Sequence, residues 1–123
     1  MKYMILVYSN PRSREMWESF SPEERAEGWN AHAALLRRIA DAGELVAAEA
    51  LADPSRAKRV AVEDGRTLAT DGPFAEVKEH LAGFYLVDCE GLERAVEHAA
   101  RVPEAALGLV EVRPVMALGG TEM

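Results

Sequence analysis

Three groups of side chains in this sequence have types and spacings that could do chemistry. His32 lies three residues after Trp29 and four before Leu36, which puts an imidazole on or beside the apolar stripe of a helix. Imidazole suits general acid or base work near neutral pH, and the same ring can instead serve as a hydrogen-bonded structural group. Glu49 interrupts Val46-Ala47-Ala48 and Ala50-Leu51, and a carboxylate in so apolar a strand must be paired, protonated or beside a polar cavity. Glu111 and Arg113 share one face of the last strand, opposite Val110 and Val112, where they can pair with each other or with Glu49. Either a salt-bridge network or a ligand-binding role accounts for them. Tyr85 offers a phenol to the same space, or packs as core.

The densest cluster is Asp71-Gly72-Pro73-Phe74-Ala75-Glu76-Val77-Lys78-Glu79-His80. Gly and Pro fix a turn, Phe74 can anchor it, and Asp71, Glu76, Lys78 and Glu79 then point in defined directions. A solvated charge run has the same pattern.

The elements that must position these groups can be read from periodicity and turn chemistry. Tyr3 to Ser9 is a strand closed by Asn10-Pro11. Ser21-Pro22-Glu23-Glu24 is a capping box that opens a helix over residues 22–42, with Trp29, Ala33, Leu36 and Ala40 at helical spacing and Gly43 at its C-terminus. Leu45 to Leu51 is a short strand. Arg59 to Glu63 and Thr67 to Thr70 flank Asp64-Gly65, a hairpin signal. Ala82 to Cys89 is a strand, Leu92 to Arg101 a helix that stops before Pro103, and Leu109 to Arg113 the closing strand. The tail after Leu118 is expected to fray. Strand, helix, strand, hairpin, strand, helix, strand describes an α+β domain, ferredoxin-like βαββαβ with an added hairpin.

This order predicts a homodimer. Met4, Leu6 and Tyr8 point to one side of the first strand and Tyr3, Ile5 and Val7 to the other, and Phe84 and Leu86 oppose Tyr85 and Val87 in the same way. Two helices shield one face only. The second would expose more apolar surface than soluble monomers tolerate, unless the segment 10–21 folds over it. A two-fold dimer with sheets packed face to face is the simplest cover.

Length and composition fit one domain: 123 residues, 49% hydrophobic. The longest apolar runs fall short of a membrane span, and no secretory cleavage signal follows Lys2, so a cytoplasmic home is expected. One cysteine, Cys89, rules out an internal disulfide. The net charge of −7 sits mostly in the second half, where residues 71–123 carry 4 Lys+Arg against 10 Asp+Glu, which opposes nucleic-acid binding. His32, His80 and His98 lack metal-ligand spacing, so no metal is expected.

The run Thr70 to Glu79 followed by Ala82-Gly83-Phe84-Tyr85-Leu86 resembles the signature of the DGPF-domain group within the YCII-related family. The resemblance extends through Met1-Lys2-Tyr3-Met4, Ser21-Pro22-Glu23-Glu24, the spacing from His32 to Gly43 and Glu111-Val112-Arg113-Pro114-Val115. It implies a dimeric α+β barrel over residues 1–118. It also implies a helix histidine paired with an aspartate in a cleft, doing acid/base chemistry on ring compounds without a cofactor. His32 fits the histidine position and Asp71 is the candidate partner. On that basis the chain is expected to be a lyase or isomerase for a small polar or aromatic molecule. His32 would move a proton, Asp71 would orient it, Glu49, Lys78 and Arg113 would bind substrate groups, and Trp29, Phe74 and Tyr85 would form an apolar wall. The alternative is a non-catalytic ligand-binding or protein-interaction domain with a regulatory role, since some DGPF-group members are associated with alternative sigma factors.

Overall fold

A computed structural model describes residues 1–120. The strands are β1 (Lys2–Ser9), β2 (Leu45–Ala50), β3 (Lys58–Glu63), β4 (Arg66–Asp71), β5 (His80–Asp88) and β6 (Val110–Pro114), and the helices are α1 (Pro11–Ser19), α2 (Pro22–Asp41) and α3 (Leu92–Ala99). Short 3-10 turns occupy Pro54–Arg56 and Pro103–Leu107. The chain is α+β, with a four-stranded antiparallel sheet in the order β2-β5-β1-β6 and a separate ribbon of β3 and β4. With the ribbon set aside, the order is compatible with a ferredoxin-like sheet. None of the described helices is long and apolar enough to cross a membrane.

The period-2 split of β1 decides where the core lies. Tyr3, Ile5 and Val7 are buried with Tyr85 and Val87 of β5, and Leu35 and Ile39 of α2 and Ala95 and Ala99 of α3 close over them. Met4, Leu6, Phe84 and Leu86 look the other way and stay half-exposed. Cross-strand pairing puts Glu49, Phe84, Leu6 and Glu111 in one row of that open face and Ala47, Leu86, Met4 and Arg113 in the next.

Local chemistry explains the boundaries. Ser21 Oγ accepts from the Glu24 N–H at 3.1 Å, and Glu24 Oε1 accepts from the Ser21 N–H at 2.9 Å, so the capping box forms as expected. Segment 10–21 does not drape over the open face. It makes its own helix, α1, under a second box in which the Ser13 N–H donates to Asn10 Oδ1 at 2.8 Å and the Asn10 N–H donates to Ser13 Oγ at 2.9 Å. Asp64 and Gly65 both take positive φ, 49° and 75°, the combination a tight hairpin turn requires. The ribbon this turn closes is exposed on both faces, with Val60 and Val62 each 68% accessible. At the C-terminus, the Gly120 N–H bonds the Ala117 carbonyl at 2.8 Å, so residues expected to fray begin with a turn. Residues 121–123 lie outside the described part.

Candidate functional site

Helix α2 buries the line of Leu35 and Ile39 against the sheet, and His32 continues that line one turn nearer the N-terminus. The buried stripe is therefore rotated from the expected one, because Leu36 is 37% and Trp29 56% exposed. The rotation aims His32 at β5. Its Nδ1 lies 2.6 Å from the Tyr85 hydroxyl, and its Nε2 lies 2.8 and 3.1 Å from the two carboxylate oxygens of Glu104. Glu104 comes from the Pro103–Leu107 turn, 72 residues away in sequence. The three elements α2, β5 and this turn thus meet at one imidazole.

Both ring nitrogens have a partner in either protonation state. A carboxylate only accepts, so Nε2 carries the proton it donates to Glu104. A phenol both donates and accepts, so Tyr85 can donate to a bare Nδ1 or accept from a protonated one. Burial, and then the Glu104 charge, push the Tyr85 hydroxyl up to about 12, so this phenol keeps its proton at neutral pH. The side chains of His32 and Glu104 are 23% and 28% exposed, which leaves the pair reachable from outside.

An aromatic path runs from the surface to this group. The Trp17 ring meets Trp29 edge-on with centroids 5.9 Å apart, Trp29 lies 6.4 Å from His32, and His32 and Tyr85 are nearly parallel at 6.1 Å. Gly28 permits it, since a Cβ there would come 3.2 Å from the Trp17 ring.

The other expected site residues lie elsewhere. The contact between His32 and Asp71 does not form within the chain: Asp71 ends β4, is ion-paired with Lys58 and is largely exposed, while Glu104 holds the imidazole. Phe74 is 60% exposed and lies under the Arg59 guanidinium, 5.5 Å from centroid to carbon. Lys78 borders a shallow groove with Asn10 and Arg12. Glu49 and Arg113 sit on the open face, across the sheet from His32, and Glu111 there accepts a hydrogen bond from the Tyr8 hydroxyl at 3.0 Å. Of the expected set, the structure groups His32, Tyr85 and Trp29. Glu104, which the sequence did not single out, completes them.

A second histidine–carboxylate pair lies at α3. His98 Nε2 is 3.1 Å from Glu44 Oε1, and the Arg94 guanidinium holds the same carboxylate at 2.7 to 3.2 Å. These bonds, first those from Arg94, hold the Glu44 carboxyl below its ordinary range.

A sheet with helices on one face, and a histidine, a phenol and a carboxylate hydrogen-bonded together on that side, defines a small α+β domain with a part-buried polar cluster. The YCII-related domain profile matches residues 1–118, and the chain belongs to the YCII-related family. It is also similar to an uncharacterised protein of Rhizobium meliloti (strain 1021), with 35% identity over 117 residues that span 94% of this chain and 92% of that protein.

Proposed function

We propose that the protein is a cofactor-independent acid/base catalyst, a lyase or isomerase, acting on a small polar or aromatic molecule beside His32. The reading rests on one observation: an imidazole on α2 held at Nε2 by Glu104 and at Nδ1 by Tyr85, with the exposed Trp29 ring beside it. Glu104 takes the orienting role that the family resemblance gave to Asp71. It fixes the tautomer and the orientation of the ring. The Asp71-Gly72-Pro73-Phe74 turn supports placing the chain in the DGPF group of its family.

The homodimer belongs to the same proposal. Met4, Leu6, Phe84 and Leu86 form an apolar centre on a face that none of the described helices covers, and a second sheet packed on it would make the dimeric barrel.

The experiment is a thermal-shift screen of small metabolites, followed by proton NMR of each hit in D2O with catalytic protein. Wild type is expected to convert a ligand or exchange one of its carbon-bound protons, and His32→Asn to lose about 100-fold or more of that rate while still binding. Binding with no conversion or exchange in wild type would overturn the catalytic reading. The non-catalytic binding domain would then be favoured, a reading supported by both nitrogens of His32 being occupied by the chain's own side chains.

A further inference from the structure

Two surfaces beside His32 are left unused by the chain's own side chains. One is the Glu104 carboxylate. A carboxylate has about four lone-pair directions, whereas the one side-chain partner of Glu104 among the described residues is the Nε2–H of His32, and the Glu104 side chain is 28% exposed. The other surface is the Trp29 ring, 56% exposed, with its centroid 6.4 Å from that of the imidazole. An anionic acceptor and an open indole thus flank the same imidazole.

Among the described residues no cation bonds Glu104. After burial, the Glu104 charge is the remaining cause of the raised Tyr85 hydroxyl, and no positive group opposes it there. Arg25 does reach the aromatic cluster, but its guanidinium lies 5.8 Å from the Trp17 ring and donates to the carbonyls of Trp17 and Glu18, each at 3.0 Å. It is committed there, and it shows an indole of this cluster carrying a cation. A ligand carboxylate or phosphate at Glu104 would meet like charge with no counter-ion, which costs affinity. An ammonium would instead find an acceptor for its protons and an aromatic ring nearby. The net charge of −7 favours cations at longer range as well.

We propose that the ligand of the His32 site is a small organic cation, an amine whose ammonium group donates to the outward lone pairs of Glu104 while its flat apolar body lies on Trp29. This assignment rests on the acid/base reading of the same site given above and adds the charge class of its substrate.

The test is a set of NMR titrations of the full chain at about pH 8, where an ordinary alkyl ammonium is charged and an ordinary imidazole is neutral. The probes share one phenylethyl body: phenethylamine is a cation, phenethyl alcohol is neutral and hydrocinnamate is an anion. Binding is followed at the indole N–H signals of Trp17 and Trp29 and at the backbone amides. Phenethylamine is expected to bind about tenfold or more tighter than the alcohol, and hydrocinnamate more weakly than either. Glu104→Gln keeps an acceptor for the imidazole and removes the charge, so it should bring the amine to within about threefold of the alcohol. Glu104→Asp keeps the charge and should keep the preference, and so should Glu63→Gln, which removes one charge from the exposed ribbon. Trp29→Ala should weaken the amine and the alcohol alike. Each variant is checked for cooperative melting.

Absence of binding by all three probes, equal affinities, or a preference for hydrocinnamate overturns the cationic class. An amine preference that survives Glu104→Gln, or binding indifferent to Trp29→Ala, overturns its placement. These outcomes leave the acid/base reading standing, because that reading is judged by conversion or exchange of carbon-bound protons. A wild type that prefers the amine and exchanges no such proton keeps the ligand class and loses the catalysis.

Discussion

The described residues contain two histidine–glutamate pairs of similar length, and their surroundings set them apart. His98 and Glu44 meet at 3.1 Å, with side chains 1% and 15% exposed. His32 and Glu104 meet at 2.8 Å, with side chains 23% and 28% exposed. Arg94 neutralises Glu44, so the carboxylate is satisfied whether or not His98 is charged. Among the described residues no such cation bonds Glu104, which has the imidazole as its partner, and the far side of that imidazole meets a phenol. A buried pair clamped by a permanent cation is a tie. A half-open pair backed by a group that can donate or accept has the geometry that the proposed proton transfer requires.

The largest effect expected from this contrast is on stability at the α3 pair. His98→Ala removes a fully buried ring and a bond to Glu44, and is expected to cost about 3 kcal/mol by urea unfolding. His32→Ala, at a more open position, is expected to cost about 1 to 2 kcal/mol. A larger loss at His32 than at His98 would reverse the comparison and make His32 the structural tie.

The strands were legible because period-2 burial leaves a local trace: Ile5 and Val7 against Leu6 and Met4 is visible in four consecutive residues. Ser21-Pro22 and Asp64-Gly65 were legible for the same reason, each being a signal complete within a few positions. Helix α1 buries no residue of its own and has no apolar stripe; only Asn10, Pro11 and Ser13 betray it, through capping chemistry. His32 and Tyr85 were readable as polar groups among apolar ones. Glu104 was not, since its role arises only when a short turn after α3 folds back onto α2. Asp71 drew attention through its turn sequence, but that turn follows a ribbon hydrogen-bonded to no strand of the main sheet.

A smaller effect concerns acid. The Glu44 carboxyl lies below its ordinary 4.5 in the folded chain, chiefly through Arg94. A carboxyl depressed on folding adds stability that is complete above its unfolded value and is lost as pH falls through the folded one. The gap in unfolding free energy between wild type and Glu44→Gln should therefore be full at neutral pH and shrink below about 4.5. A gap unchanged down to the acid limit of folding would mean that packing, and no charge, ties α3 to the start of β2.

The smallest expected effect is the most specific to the His32 cluster. Burial is the first cause of the raised Tyr85 value, and the Glu104 charge is the second. Glu104→Gln removes the charge and leaves the burial, so phenolate formation at Tyr85 should begin at lower pH than in wild type yet stay above the ordinary 10. The measurement is an ultraviolet titration with the Tyr85→Phe trace subtracted, confined to the range where far-ultraviolet dichroism shows the chain folded. Tyr3 and Tyr8 cancel in the subtraction. At the α3 pair the carboxylate is shared with Arg94 and no phenol reports on it, so Glu44→Gln should leave the Tyr85 titration where it was. An unmoved Tyr85 in Glu104→Gln would mean that Glu104 and the phenol do not sense each other through His32, and the two pairs would then differ in exposure alone.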